Sequence, residues 1–210
     1  MTHENKPAKI FGYGEDALTL WALREQLRKI LDAFKDNTNV EDCLILYRPS
    51  FGRSGGKHST EFGEFDAIVA SKEKYYLIES KWDNHSNYEK DSVHLRDEQV
   101  LRHEIFTWYL FNWGAMYSGN WQRFKAEQEK HFKYEKTIPP AGSLLAANLE
   151  YTLSKLVNYC DCDTIESNVR NVLLFFYDSR KSKPPTKTNR MFTIIPIDYG
   201  KHAKDNFINI

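Results

Sequence analysis

Residues 64–82 read EFDAIVASKEKYYLIESKW, two apolar runs separated by the short polar segment SKEK. Apolar runs of this length that flank a short polar segment are typical of two antiparallel strands joined by a turn. The stretch therefore predicts a β-hairpin with strands at about 64–70 and 75–82. Its acidic residues lie among apolar neighbours, on a sheet that ought to be buried.

The register of this hairpin follows from its turn. Side chains alternate between the two faces of a strand, and a turn at the centre of SKEK places Ile68 opposite Leu77 and Asp66 opposite Glu79. By the same alternation, Phe65 falls on the face opposite to Ile68. The hairpin is therefore expected to bring two carboxylates face to face.

Opposed carboxylates on neighbouring strands repel each other, so something should compensate for them. The face that carries them is apolar towards the turn and charged at its other end, through Glu64, Asp66, Glu79 and Lys81. Two hard carboxylates at the mouth of a partly buried surface suit a divalent cation, with a backbone carbonyl and waters as further oxygen ligands. A lysine beside them can orient a water, deprotonate it when the amine is neutral, or stabilise charge on a phosphate as the ammonium. This combination fits phosphodiester hydrolysis; an ordinary hairpin with exposed charges is the alternative.

The composition sets wider limits. The 210 residues, 41% hydrophobic and 28% charged, fit one domain over 1–210, and no run is apolar enough to span a membrane. The N-terminus MTHENKPAKI has no apolar signal region, and three cysteines are too few for a disulfide framework. We therefore expect a cytoplasmic protein without a membrane partner. Because the formal net charge is zero, a partner rich in phosphate would have to meet a local basic patch.

The rest of the chain alternates between helical and strand patterns. Apolar residues at three-to-four spacing predict a first helix at about 15–36, a second long helix after the hairpin, and a third at about 141–159. CLILYRP from Cys43, NVLLFFYDS and MFTIIPIDY read as further strands. The predicted fold class is α/β, with a central mixed β-sheet flanked by helices. Its core would cover about 11–112, and the last strands with a basic linker would lie within about 141–210.

The hairpin also carries a resemblance to a known family. Asp66, followed after the turn by Glu79-Ser80-Lys81, resembles the PD-(D/E)XK signature of the restriction-endonuclease-like nuclease superfamily. Glu15 in FGYGEDALTLWAL, and the order of a helix, three strands and a helix, are similar to that family as well. The likeness covers about residues 11–112, half of the chain, and Phe65 stands where the name of the motif has proline.

The resemblance implies a restriction-endonuclease-like core and a set of roles. Asp66 and Glu79 would bind Mg²⁺, for which Mn²⁺ can substitute, together with the backbone carbonyl of Ser80. Lys81 would act on the attacking water, and Glu15 would assist the metal or its water. An acidic residue at this place also favours a helix N-terminus without any chemistry, which is the alternative for Glu15.

Two further polar residues are candidates to support this site. Glu64 is expected to be a partner of Lys81. Gln99 lies one helical turn from His103 in the second long helix, so both face either the cleft or the solvent.

Two basic segments are candidates for DNA contacts. The glycine-rich loop SFGRSGGKHSTEFG carries three basic residues, and the linker RKSKPPTKTNR carries five that could neutralise phosphates. Both segments also fit ordinary solvated loops. The candidates are Arg53, Lys57, His58, Arg180, Lys181, Lys183, Lys187 and Arg190.

The predicted function is therefore that of a Mg²⁺-dependent deoxyribonuclease, an endonuclease of restriction or DNA-processing type. Its expected partner is DNA, with RNA left open as a substrate, and a homodimer would explain the cutting of both strands. The alternative is a non-catalytic nucleic-acid-binding or assembly module that retains the fold.

Overall fold

The computed structural model describes residues 9–51, 63–83, 88–89, 91–134, 137–160, 168–204 and 207–210, with only the backbone of 88–89. Three candidates for DNA contacts in the glycine-rich loop, Arg53, Lys57 and His58, lie outside the described residues.

The first predicted helix is two helices. Gln26 leaves the helical conformation, with φ −124° and ψ 9°, so the segment predicted as one helix over 15–36 divides there. None of the helices in the described ranges is both long and apolar enough to cross a bilayer. The helices are α1 (Gly14–Glu25), α2 (Leu27–Ala33), α3 (Asp97–Asn112), α4 (Trp121–Gln128) and α5 (Leu144–Val157), with 3₁₀ turns at Val40–Asp42, Ala115–Tyr117 and Glu129–His131.

The predicted strands are present, together with shorter ones that the sequence pattern did not indicate. The predicted ones are β2 to β4, β7 and β8, and the others have only two or three residues each. In chain order the strands are β1 (Phe11–Tyr13), β2 (Leu44–Tyr47), β3 (Ala67–Ala70), β4 (Tyr75–Trp82), β5 (Tyr88–Glu89), β6 (Ser92–Val93), β7 (Val169–Tyr177), β8 (Phe192–Asp198), β9 (Ala203–Lys204) and β10 (Phe207–Asn209).

The central sheet is mixed and five-stranded, in the order β2-β3-β4-β7-β8. β2, β3 and β4 are antiparallel neighbours, whereas β7 runs parallel to β4 and β8 runs parallel to β7. Parallel neighbours need a long crossover, and the chain from β4 to β7 includes α3, α4 and α5. The α/β class with a mixed sheet flanked by helices is thus confirmed.

The hairpin register is confirmed within the strands. Ile68 pairs with Leu77, but the last pair of the ladder is Ala67 with Ile78, so Asp66, the preceding residue, lies just outside it. The prediction for Phe65 is wrong, because the strand alternation does not extend to it. Its ring packs in the same apolar cluster as Ile68.

Each face of the central sheet is covered by helices and buries its own apolar cluster. Ile68 and Leu77 pack with side chains of α3 and α5, including Phe106 and Leu153. The opposite face, with Val69 among its residues, packs with α1 and α2. Burying a large apolar side chain completely contributes about 1.5–3 kcal/mol, so both layers hold β4 in place.

A second, three-stranded sheet lies on α1. Its order is β1-β10-β9, so it joins strands from the two ends of the described chain. A Cβ at Gly12 would lie 2.5 Å from Cβ of Ala17 on α1 and 2.7 Å from Cδ1 of Ile210. Glycine at this position therefore allows the sheet to approach the helix.

The cysteines differ from one another. Cys43 is free, and Cys160, three residues after α5, is disulfide-bonded. The cysteines therefore give no support to the expected cytoplasmic location.

Candidate active site

The hairpin brings Asp66 next to the triplet at the end of β4. Oδ2 of Asp66 accepts a hydrogen bond from the backbone N–H of Ser80 at 2.7 Å. The Asp66 carbonyl accepts a second bond from the N–H of Arg48 at 3.1 Å. Both the carboxylate and the backbone of Asp66 are thus held where β3 begins, beside Glu79 and Lys81.

Three side chains of α3 converge on Glu79, which is only 3% exposed. Arg102 donates to Oε2 at 2.9 Å, and the Gln99 amide donates to Oε1. Nε2 of His103 lies 3.9 Å from Oε2. Arg102 and His103 lie three and four positions after Gln99, so the three side chains share one face of the helix.

This environment keeps Glu79 ionised. Burial alone would raise the pKa of its carboxyl, but the nearby His103 ring and the charges of Lys81 and Arg102 lower the pKa well below its ordinary range. Gln99 is itself fixed, because its Oε1 accepts from the N–H of Arg96 at the start of α3. The carboxylate of Glu79 therefore has a defined charge and orientation.

Lys81 occupies the centre of the site and is 6% exposed. Its ammonium donates to the carbonyl oxygen of Ser80 in a close contact. Nζ also lies 3.4 Å from Oε1 of Glu79 and 3.7 Å from Oε1 of Glu15. A positive charge thus stands where the oxygens of the site converge.

Glu15 reaches the site from the first turn of α1. Oγ1 of Thr19, one turn further along, lies 2.9 Å from the Glu15 carbonyl oxygen and 2.8 Å from Oγ of Ser80, and so ties the helix to β4. Burial raises the pKa of the Glu15 carboxyl, and the charge of Glu79 adds to this while Lys81 opposes it. Glu15 is therefore part of the same electrostatic cluster.

The acids of the site crowd one another. Burial, and then the charge of Glu79, raises the pKa of Asp66 well above its ordinary range. Glu15 raises it further, although Lys81 and the Ser80 N–H oppose this. Hard oxygen donors with excess negative charge suit a divalent cation such as Mg²⁺. In donor type and in charge, the residues fit such an ion.

One feature limits this fit. Among the residues whose placement is described, no group of three or more His, Cys, Asp or Glu side chains is arranged to hold a metal ion. The predicted set has two acidic side chains, Asp66 and Glu79, and its third donor, the Ser80 carbonyl, accepts from Lys81. An ion on that carbonyl would repel the ammonium of Lys81, so we expect metal binding by this set to move the ammonium away from the oxygen.

The two supporting candidates have different surroundings. The carboxylate of Glu64, expected beside Lys81, forms an ion pair with Arg48, which also contacts Asp16. Gln99 faces the cleft and contacts Glu79 directly.

The basic linker begins at the same end of the sheet as the site. The N–H of Asp178, which follows β7, donates to Oδ2 of Asp83, which follows β4, at 3.0 Å. Arg180 and Lys181 pair with the Asp178 carboxylate at 2.8 Å and 3.4 Å, which neutralises part of their charge.

Three later basic residues of the linker are exposed. Lys187 and Arg190 line an open groove of about 520 Å³ beside β8, and the side chain of Lys183 is exposed as well. Their exposure leaves these side chains accessible to phosphates in solution.

Sequence reasoning missed Arg102 as a member of the site. Its signal was the spacing with Gln99 and His103, which places all three on one helix face. That face could be assigned to the cleft only once the packing of α3 on the sheet was known.

No family model matches this chain, and no curated protein or solved structure matches it either. The site is therefore interpreted from its own geometry.

Proposed function

We propose that this protein is a metal-dependent nuclease that hydrolyses DNA phosphodiester bonds. The observation that carries the proposal is the convergence of Asp66, Glu79 and Lys81 with Glu15 at one end of the central sheet. The order of α1, three antiparallel strands and α3 supports a restriction-endonuclease-like core as part of the same proposal.

The oxygens of Asp66 and Glu79 and the Ser80 carbonyl would hold the ion, either Mg²⁺ or Mn²⁺. When bound, the ion supplies Lewis-acid stabilisation of the charge that develops on a phosphate. Once released from the Ser80 carbonyl, the Lys81 side chain orients a water through its ammonium, or takes up a proton from that water when it is the neutral amine. Glu15 lies close enough to that ammonium to keep it at the site.

The helix α3 has a supporting role. Arg102 and Gln99 hold the carboxylate of Glu79 in one orientation, and they do so from a helix that is packed against the sheet. A site held by such supporting contacts loses less of its geometry to thermal motion.

DNA would approach along the end of the sheet where the linker begins. The exposed side chains of Lys183, Lys187 and Arg190 on that linker supply positive charge for phosphate contacts, with Lys187 and Arg190 beside β8. Because one site cuts one strand, the proposal includes a homodimer that cleaves both strands. RNA is the alternative substrate.

One observation favours the non-catalytic alternative. Glu79 already forms an ion pair with Arg102 at 2.9 Å, so part of its negative charge is compensated without any metal. A module that only binds nucleic acid would retain this ion pair as a structural contact. The two functions differ in whether the acids are needed for cleavage.

The test is cleavage of supercoiled plasmid by the full chain with Mg²⁺, with EDTA, and by the variants Asp66→Ala and Lys81→Ala. We expect nicked or linear product only with Mg²⁺ or Mn²⁺, and at least about a 100-fold lower rate in Lys81→Ala with DNA binding retained. Lys155→Ala, an exposed lysine on α5, is the matched control and should cut like the unmodified protein.

Two results would count against the nuclease. Cleavage that persists in EDTA, or in Asp66→Ala at the normal rate, would place the activity elsewhere. DNA binding without cleavage under Mg²⁺ and Mn²⁺ would establish the non-catalytic module instead.

A further inference from the structure

The outer face of the small sheet carries three exposed aromatic side chains. Phe11 and Tyr13 of β1 are 63% and 59% exposed, and Phe207 of β10 is 48% exposed. Tyr13 pairs with Phe207 in the register, and Phe207 pairs with Lys204 of β9, so these four residues share one face. The inner face has Gly12 and the buried Ile208. We call Phe11, Tyr13, Phe207 and Lys204 the aromatic face.

Large aromatic rings grouped on an exposed sheet face are an unusual surface. The rings of Tyr13 and Phe207 lie 5.2 Å apart between centroids, so they form one patch. A contiguous exposed patch of this kind marks an interaction site, since burying the rings elsewhere would be more favourable.

The surroundings of the aromatic face are basic. Phe11 and Phe207 line an open groove of about 500 Å³ together with Lys201, His202 and Lys204. All three of these polar side chains are exposed. Rings that stack on bases, beside lysines that contact phosphates, are the combination with which proteins bind single-stranded nucleic acid.

The same charges argue against a second copy of this chain as the occupant. In a two-fold symmetric dimer the same patch meets itself, so Lys201 and Lys204 would face the lysines of the other copy. A strand of nucleic acid brings the opposite charge together with flat bases, and so complements both features.

The aromatic face continues into the candidate active site. Tyr13 lies two residues before Glu15, and its ring contacts that of Trp82 at 6.3 Å between centroids. Trp82 directly follows Lys81 in β4. A strand on this face would therefore pass beside the proposed catalytic residues.

We propose that the aromatic face binds unpaired nucleotides of the substrate. Bases stack on Phe11 and Phe207 while Lys201 and Lys204 contact the phosphates. The inference rests on the proposed function, and it deepens that function by naming the substrate class as nucleic acid with a single-stranded segment next to the cut. Bases inside a duplex are stacked on each other and cannot lie on such rings.

The test is fluorescence anisotropy of fluorescein-labelled oligodeoxythymidylate, titrated with the full chain in EDTA so that binding is measured without cleavage. We expect the double variant Phe11→Ala/Phe207→Ala to bind at least about tenfold more weakly, since each stacked base contributes a large part of such affinity. The double variant Lys201→Glu/Lys204→Glu should also bind more weakly. Tyr151→Ala on α5 is the matched control, because that ring is also 63% exposed, and it should bind normally.

The inference is overturned if Phe11→Ala/Phe207→Ala binds like the unmodified protein, or if Tyr151→Ala loses as much affinity as that variant does. It is also overturned if sedimentation shows a dimer that Phe11→Ala/Phe207→Ala dissociates, because the rings would then be an interface between copies. Melting temperatures identify any variant that fails to fold, in which case the other double variant decides.

This result is separable from the nuclease test. Plasmid cleavage together with oligonucleotide binding that does not depend on the rings would remove this inference and leave the nuclease. Binding that depends on the rings, without cleavage under any condition, would leave this inference and remove the nuclease.

Discussion

Lys81 holds its ammonium against the carbonyl oxygen of the preceding residue, between two glutamates. A cation of the protein therefore compensates the acids as long as no metal is bound. A divalent ion that used the Ser80 carbonyl would repel this ammonium and so favour its displacement. The affinity for metal thus includes the cost of moving Lys81, and the freed ammonium becomes available for chemistry.

The crowding of acids predicts a stability effect at Asp66. Because burial and Glu79 raise the pKa of Asp66, its ionised form is unfavourable in the folded protein above that pKa. We expect Asp66→Asn to increase the free energy of unfolding at pH 8 in EDTA by about 1–3 kcal/mol, and therefore to raise the melting temperature. Saturating Mg²⁺ should stabilise the unmodified protein but not the variant. Differential scanning calorimetry measures both effects.

The control for this prediction is Asp32→Asn, an exposed carboxylate on α2 that pairs with Arg28. It should change stability little and leave the response to Mg²⁺ intact, since exposed ion pairs contribute about 0–1 kcal/mol. A lower melting temperature for Asp66→Asn, or an equal response of that variant to Mg²⁺, would contradict the assigned role of Asp66.

For single residues, the sequence predicts some members of the candidate site and not others. Asp66, Glu79 and Lys81 are singled out by strand alternation and a short turn, which are local features. Arg102 contacts Glu79 across 23 positions of the chain, and only the packing of α3 on the sheet brings it there. Gln99 and His103 were noted, but their helix face stays ambiguous until that packing is known.

Among the elements, a buried carboxylate connects the end of α2 to the β3–β4 turn. Asp36 accepts hydrogen bonds from Ser71 Oγ at 2.5 Å, from Tyr76 Oη at 2.6 Å and from the N–H of Thr38 at 2.9 Å. Burial alone would raise the pKa of Asp36, but the bonds from Ser71 and Tyr76 outweigh it and lower the pKa. The turn that sets the hairpin register is thus held by a residue outside the hairpin.

We expect Asp36→Ala to destabilise the protein by about 3 kcal/mol or more at pH 7, since it leaves buried donors without an acceptor. A lowered pKa means that the stabilisation by the ionised carboxylate is present above the unfolded-state value, about 3.9, and is lost as the pH falls through the folded-state value. The difference between the variant and the unmodified protein should therefore shrink at pH 3. Urea denaturation at the two pH values measures it.

Asp32→Ala serves here as the exposed control, and its effect should be small at both pH values. If the loss of stability in Asp36→Ala were the same at pH 3 and pH 7, the charge of Asp36 would have no part in holding the turn.

The elements also show what sequence patterns reveal. Long periodic segments such as α3 and β7 are predicted, whereas β1 and β10 are missed because three residues carry no periodicity. α4 lies in a charged segment without a clear apolar stripe, and it is held by Trp121 and Phe124, which pack with other aromatic rings. The formation of β1, β10 and α4 therefore depends on contacts with residues that are distant in the sequence.

For the whole molecule, the decisive pairing is that of β1 with β10, which encloses α1 between the two sheets. Since a Cβ at Gly12 would meet Ala17 and Ile210 at under 3 Å, we expect Gly12→Ala to destabilise the protein by about 1–3 kcal/mol. The midpoint of urea unfolding measures this. Gly114→Ala is the matched control, because a Cβ there meets only the Met116 side chain, at 3.9 Å.

Equal midpoints of urea unfolding for Gly12→Ala and Gly114→Ala would mean that the small sheet does not pack closely against α1 at Gly12. The sequence could not reveal this arrangement, because the two strands are separated by nearly the whole described chain. The sequence does predict part of the central sheet, because the strands β2 to β4 follow one another in the chain and pair as neighbours.

The place of β4 in the central sheet has a consequence for stiffness. Its backbone is hydrogen-bonded to β3 on one side and to β7 on the other, and both of its faces are covered by helices. Such a strand opens only when the whole domain unfolds. The peptide units of Glu79 and Ser80 follow directly on the ladder with β3 and pair with β7, so they are the rigid part of the site, and any adjustment to an arriving ion or phosphate falls to the Lys81 side chain.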